Sequence, residues 1–364
     1  MRYSLYELVE KVVQIGRIPE ELKPKVADLW SLSFEVRSRD FWMDWFEADE
    51  IKLFGAYNSE DVYAVVGLYD FETRLAGRWV PCGGIAGVAS NPSHRGGGLV
   101  RKVMIHCLKE LDNNEIPIAI LGTGIHSFYE RMGFATTDWH YTIEASTRAL
   151  AMFRKYGDSK RYRMIPIDEF AHCIPIHDQW TAQSALSIRR SEGRWRRHVF
   201  AGDHVGQLFL HDNGYMAIDL TATQTENKVK VLDWAHLTDQ AYFDGLALIA
   251  QMGSQYDSAT WTDWDPERLL KQGMLEQAAK VSVHPGQMSR VVNLNAFERT
   301  IGRSLNDLVI RDPLDLIGKN GGQGLSPGQV IQLVTGFWQK APESWPSELY
   351  GCLSRPRAFT CERF

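Results

Sequence analysis

The spacing of apolar positions changes several times along this chain, and each change marks an element. Residues 5–15, 27–36 and 42–48 carry apolar side chains at helical spacing. Residues 51–57, 62–71 and 79–90 then read as strands. An amphipathic helix follows, with Leu99, Val100, Val103, Met104, Cys107, Leu108 and Leu111 on one face. The short apolar run 116–121 reads as a buried strand, and 139–143 as an alternating one. Strands, then a strand–loop–helix–strand unit, predict a mixed α/β arrangement: one mixed sheet with helices packed on it.

The middle of the chain loosely repeats that order. Strand patterns at 199–201, 206–210, 214–219 and 228–234 precede a helix over 240–252 and a strand over 259–264. The last part has a strand at 289–294, a helix at 296–302, a glycine-rich turn at 318–324 and a helix that opens at Ser326-Pro327 and runs through Val334. Serine before proline supplies an N-cap and then a residue suited to the first helical position. The expected division is therefore 1–147, 148–281 and 282–364. A chain of 364 residues is long enough for two or three such units at roughly 100–200 residues each.

Composition narrows the function classes. Hydrophobic residues make up 44% and charged residues 23%, an ordinary balance for a soluble globular protein. The net charge of -5 argues against a sequence-independent grip on nucleic acid, and no apolar run reaches the roughly 18 residues of a membrane span. The basic group Arg189, Arg190, Arg194, Arg196 and Arg197 reads as a solvated face. The N-terminal stretch has no apolar core or small-residue cleavage site of a signal peptide. Five scattered cysteines without a CxxC pair fit reduced thiols rather than disulfides or zinc, and His94, His106, His126 and His140 have no metal-ligand spacing. The expectation is a cytoplasmic protein with no metal, nucleic acid or membrane partner.

The chemistry concentrates in Gly87-Val-Ala-Ser-Asn-Pro-Ser-His-Arg-Gly-Gly-Gly-Leu-Val-Arg101, which leaves a strand, makes a loop and enters a helix. The first N–H groups of a helix lack internal partners and, with the helix dipole, attract anions. Glycines there let a large ligand reach the backbone, and Arg95 adds a charged donor. The site suits a pyrophosphate. Neither GxxxxGK[ST] nor GxGxxG is present, so the phosphate patterns of nucleoside triphosphatases and dinucleotide enzymes are missing.

Arg95-x-x-Gly98 after a strand ending in Val88-Ala-Ser90 resembles the RxxGxG/A motif of the GNAT acetyltransferases, with Val100 in place of its last small residue. Downstream, Pro117-Ile-Ala-Ile-Leu-Gly and Phe128-Tyr-Glu-Arg-Met-Gly-Phe134 match that family's next strand and tyrosine-bearing helix. The resemblance implies acetyl-coenzyme A as co-substrate, bound by Val88, Ala89, Ser90, Arg95, Gly96, Gly97, Gly98, Leu99, Val100 and Arg101, with Tyr129 as the acid that protonates the leaving thiolate.

Over nearly its full length the chain is similar to the Eis (enhanced intracellular survival) type. The residues that carry this are the two motifs above, the central Leu232-Asp-Trp with the helix after it, and Ser289-Arg-Val-Val-Asn-Leu294. That likeness implies tandem GNAT folds, the second degenerate and without coenzyme, followed by a small sterol-carrier-protein-like α+β domain. It implies a homo-oligomer, a hexamer in the family, and a small-molecule amine as acceptor. It also implies that the α-carboxylate of Phe364 takes the amine's proton. Arg363 beside it departs from the acid of aminoglycoside-modifying relatives and would repel polycations.

The aromatic and acidic run 39–46 suggests an acceptor wall, with Trp42, Trp45 and Phe46 as rings for an amine and Asp44 as a counter-ion for its charge; Phe34, just before the run, is a further candidate. Core or subunit packing explains the same rings equally well. The expected reaction is direct attack of a neutral amine on the thioester, with a backbone N–H near Val88 stabilising the oxyanion and no cysteine nucleophile. Two alternatives stay open: transfer to protein lysines, and a lipid- or ligand-binding protein with a vestigial site.

Overall fold

A computed structural model describes residues 13–34, 37–48, 51–182, 184–199, 206–222, 227–263, 279–317 and 324–337. Two seven-stranded mixed sheets organise them. The first contains β1 (Gln14–Arg17), β2 (Lys52–Tyr57), β3 (Val62–Leu75), β4 (Arg78–Ser90), β5 (Ile118–Leu121) and β6 (Ala135–Thr136), with β14 (Met288–Val291) inserted between β5 and β6. The second has the order β13 (Lys280–Pro285), β7 (Trp139–Ser146), β12 (Ser258–Asp263), β11 (Asn227–His236), β10 (Gly214–Ala222), β9 (Gln207–His211) and β8 (Arg163–Ile165).

Each sheet has one parallel pair, β4 with β5 and β11 with β12, in otherwise antiparallel ladders. Each also carries a bulge where the longer strand of that pair meets its antiparallel neighbour, at 65–67 against 86–89 and at 217–218 against 231–233. The tandem, mixed α/β reading therefore holds. β3 and β4 form a hairpin through Ala76 and Gly77, both at positive φ, as a two-residue turn matched to strand twist requires.

Four helices pack about the first sheet. They are α1 (Lys23–Ser33), α2 (Arg39–Ala48), α3 (Leu99–Asn113) and α4 (His126–Glu130). The face of α3 formed by Val103, Met104, Cys107, Leu108 and Leu111 is buried in a core with Phe54, Val66, Leu68 and Ile85. Burying an aliphatic side chain of this size contributes about 1.5–3 kcal/mol. α1 and α2 cover the other side of β2 and β3 with Trp30, Trp42 and Phe46.

Several expectations change. The helix expected over 5–15 is a strand from Gln14, paired with β2; residues 1–12 lie outside the described residues. The strand expected at 199–201 ends a helical turn, Trp195–Val199, and residues 200–205 are outside the description. The strand at 289–294 stops at Val291, because Asn293 caps a helix beginning at Leu294. Arg190 and Arg194 are buried rather than solvated: Arg190 donates two bonds to Asp233, at 2.7 and 3.0 Å.

Strand membership also crosses the positions 147 and 281. β7 belongs to the second sheet and β14 to the first. The two crossings between sheets, at 137–138 and 286–287, are tied together. Thr137 N–H donates to the Gln287 carbonyl (2.9 Å), and Gln287 N–H donates to Asp138 Oδ1 (2.7 Å). Helices Leu294–Ile301 and Pro327–Thr335 then pack Phe297, Val330 and Val334 against Ile118 and Ile120 of the first sheet.

Candidate active site

β4 and β5 run in parallel only from Cys82–Ile85 against Ile118–Leu121. β5 then stops, while β4 continues through the bulge to Ser90. The strands part because Gly87 takes φ +56°, a left-handed conformation open to glycine, and shifts the register against β3. Among the described residues no strand follows the far edge of Val88–Ser90, so a ligand can.

A cavity of about 800 Å³ fills the gap, lined by Val88, Ala89, Ser90, His94, Arg95, Gly96, Gly98, Leu99, Val100, Arg101, Ile125, Phe128, Tyr129, Arg131 and Met132, with Ser33 and Phe34 at the end of α1. Its upper wall is the glycine loop. Asn91 Oδ1 accepts from Ser93 N–H (3.1 Å) and fixes a short turn, Pro92–His94. Gly96 and Gly98 then take φ +88° and +70° and aim the chain into α3. Gly98 is the N-cap of α3 and has no side chain to offer, so no side chain caps its first turn. A Cβ added at Gly96, Gly97 or Gly98 meets nothing within 4 Å. The result is an open helix N-terminus with Arg95 and Arg101 beside it, the fit expected for a pyrophosphate.

Tyr129 forms the opposite wall. It sits on α4, 6% exposed, edge-on to Phe128 and Phe134 at 5.0 and 6.2 Å between ring centroids. Burial pushes its phenol up to about 12, so it stays protonated at neutral pH.

Residues 14–137 match the model of the acetyltransferase (GNAT) domain. This segment is similar to that domain. No curated protein matches the chain. Solved structures of similar fold include a GCN5-related N-acetyltransferase from Anabaena variabilis ATCC 29413, with TM-score 0.79 and 18% identity, covering 97% of this chain and 100% of that one. A GCN5-related N-acetyltransferase from Kribbella flavida has TM-score 0.72 and 16% identity, covering 97% and 98%. Eis1 from Mycobacterium abscessus has TM-score 0.67 and 14% identity, covering 96% and 100%.

The matched segment brings together most residues singled out in the sequence. Of the expected coenzyme residues, nine line the cavity, and Gly97 stands between two of them. Tyr129 and Phe34 also line it. The acceptor candidates on α2 do not line this cavity. Trp42 is buried among Trp30 and Phe46, and its Nε1 donates to Ser31 Oγ at 2.9 Å. Trp45 turns its Nε1 to the Tyr69 hydroxyl at 3.3 Å, and Asp44 is exposed. None of these three is among the lining residues. The rings sit at helical spacing because they pack the domain. Phe364 lies outside the described residues.

Ser33, His94, Ile125, Phe128, Arg131 and Met132 line the cavity without having been singled out as site residues. His94, Phe128, Arg131 and Met132 stand inside the two motifs quoted from the sequence, whereas Ser33 and Ile125 lie beside motif or candidate residues. Cys82 and Cys107 are buried, and burial pushes both thiols far up, so neither is a nucleophile.

The second sheet treats its equivalent helix start differently. The helix Asp239–Gln251 is capped by Thr238, whose side chain accepts from Ala241 N–H at 3.1 Å. Trp234 stacks on Tyr242 (4.8 Å between centroids) and donates to the Tyr162 hydroxyl at 3.2 Å. There the protein's own side chains take up a helix-start donor and fill the space that the first sheet leaves open. Among the described residues no helix is long and apolar enough to cross a membrane, and no cluster of His, Cys, Asp or Glu could hold a metal ion.

Proposed function

We propose that this chain transfers an acetyl group from acetyl-coenzyme A to the amine of a small molecule. One observation carries the reading. A single cavity joins an uncapped helix N-terminus, rimmed by arginine, to a buried tyrosine across the gap between β4 and β5. The amides of Gly96–Leu99 and the Arg95 guanidinium would hold the pyrophosphate. The pantetheine arm would lie along Val88–Ser90, taking the edge position that β5 vacates. A backbone N–H near Val88 would meet the thioester oxygen and stabilise charge as it develops. The neutral amine nitrogen attacks the carbonyl carbon, the C–S bond breaks, Tyr129 gives its proton to the departing sulfur, and the proton that the nitrogen sheds goes to the α-carboxylate of Phe364 in this proposal. No acyl-enzyme forms.

The acceptor end favours an amine on an apolar or aromatic body. Phe34, Ile125 and Phe128 are exposed there, and the charged side chains of the lining are Arg95, Arg101 and Arg131. A polycation would meet like charge. The fold likeness to Eis1 supports, as part of the same proposal, an Eis-type arrangement: a catalytic unit drawn mainly from 1–147 together with β14, a degenerate unit drawn mainly from 148–281 together with β7, and a sterol-carrier-like part within 282–364. A cytoplasmic homo-oligomer is proposed with it, on the sequence resemblance alone.

The test is acetyl-coenzyme A binding by calorimetry, followed by thiol-release turnover against amines of graded charge and apolar area. Binding with turnover of a monoamine is the expected result. No binding at millimolar coenzyme would sink the enzyme reading.

A further inference from the structure

Tyr129 stands on a weak support. α4 is five residues long, and a helix that short does not hold itself together. The turn after it closes on the same backbone, with Met132 and Phe134 N–H both donating to the Tyr129 carbonyl, at 2.9 and 3.2 Å. Whatever fixes the direction of the tyrosine must therefore hold this turn from outside.

The holding groups come from far along the sequence. Arg290, on the inserted strand β14, donates through Nη1 to the Met132 carbonyl, through Nη2 to Asp312 Oδ2 (2.8 Å) and through Nε to the Val291 carbonyl (3.2 Å). The two side chains are 1% and 0% exposed. Asp312 is itself anchored, accepting from the N–H groups of Leu314, Leu316 and Ile317 at 3.0, 3.1 and 3.1 Å. Gly133, at φ +79°, has no room for a Cβ that would not press within 3.2 Å of Arg290 Nη1 and Pro327 Cδ. Gly328 N–H donates to the Gly133 carbonyl at 2.8 Å.

A buried ion pair is a poor way to add stability, since desolvation consumes most of its attraction. A guanidinium is a good way to fix geometry, since its planar fork donates in set directions and lysine cannot copy it. We infer that Arg290 is a positioning residue for Tyr129, clamping the Met132–Gly133 turn to Asp312 so that the hydroxyl faces the departing sulfur. The strand borrowed from the end of the chain thereby belongs to the catalytic unit. This rests on the acid role proposed for Tyr129.

The experiment is a double-mutant cycle in the full chain between Arg290→Lys and Tyr129→Phe, read as kcat and as KM for acetyl-coenzyme A. Arg290→Lys should lower kcat by about ten-fold or more and leave that KM within about two-fold. In the Tyr129→Phe background it should lower kcat no further, because the group it positions is gone. An unchanged kcat, or the same loss in both backgrounds, overturns the inference. No effect of Tyr129→Phe alone would instead overturn the acid role, and the inference with it. Thermal melting checks folding. Should Arg290→Lys not fold, Asp312→Asn replaces it in the same cycle, with the same outcomes deciding.

Discussion

Trp30 lies directly against the α-carbon of Gly87: a Cβ at residue 87 would fall 1.9 Å from Cζ2 of the indole. Through this contact α1 seats on the bulge that parts β4 from β5. Gly87→Ala adds left-handed strain to that clash and should destabilise the protein by about 2–4 kcal/mol. Urea denaturation measures it. A Gly87→Ala protein as stable as the parent would mean that Trp30 can move away without cost.

Gly98 presents the opposite case. Its φ is +70°, yet an added Cβ meets nothing. Gly98→Ala should cost only the backbone strain, about 1–2 kcal/mol. The new methyl group would stand in the open space at the start of α3, so acetyl-coenzyme A affinity should fall about ten-fold or more, roughly 1.4 kcal/mol. Calorimetry against melting temperature separates the two effects. Unchanged affinity would place the pyrophosphate elsewhere.

Tyr129→Phe should lower kcat by about a hundred-fold while coenzyme affinity stays near the parent's. Because burial raises the phenol to about 12, the phenolate does not form between pH 7 and 10. The parent's kcat profile should therefore show no alkaline fall from this residue in that range. A fall in that range that disappears in Tyr129→Phe would keep the acid role but contradict the raised phenol.

Arg190 and Asp233 make a buried pair in the second sheet, with the Tyr215 hydroxyl donating to the same carboxylate at 2.5 Å. Burial alone would raise the Asp233 carboxyl; the charge and hydrogen bonds of Arg190, helped by His177 and Tyr215, overcome this and hold it below its ordinary value. A depressed carboxyl stabilises the fold above the unfolded value of about 3.9 and loses that contribution as pH falls through the folded value. Arg190→Met leaves the carboxylate alone and should cost about 3–5 kcal/mol at pH 7. The penalty should shrink in urea titrations as pH falls from 7 toward about 4, because without Arg190 burial raises the stranded carboxyl and it takes up a proton. An equal loss at both pH values would mean that the charge of Asp233 is not what the substitution exposes.

Cys82, Cys107 and Cys173 are buried, and burial pushes the Cys173 thiol up to about 12 and the other two further. Iodoacetamide at pH 8 should leave all three unmodified in the native protein, by peptide mapping. Rapid labelling of Cys107 would reopen a thiol mechanism.

What was legible in the sequence was local. The apolar face of α3, the Ser326 cap, completed by Gln329 into a capping box, and the glycines before Leu99 follow from rules that act within one or two turns of chain. So does the motif around Tyr129, because the aromatic residues and Gly133 (φ +79°) shape one short turn. These sufficed for the mixed fold and for most of one wall of the cavity.

Partnership between distant segments was decided only by the tertiary structure. An alternating run such as 139–146 says that it is a strand but not which sheet it joins, and here it joins the second. The apolar strand 288–291 fits any gap of the right depth, and the gap it fills lies between β5 and β6, beside the turn that carries Tyr129. Trp42 and Trp45 announce burial at helical spacing without naming what they pack against. Arg190 and Arg290 look alike in the sequence to any surface arginine. Each is buried because a carboxylate from another segment waits for it, Asp233 43 residues away and Asp312 22 residues away. Periodicity encodes which side of an element is apolar; pairing energy across long loops, which no local pattern encodes, chooses its neighbours.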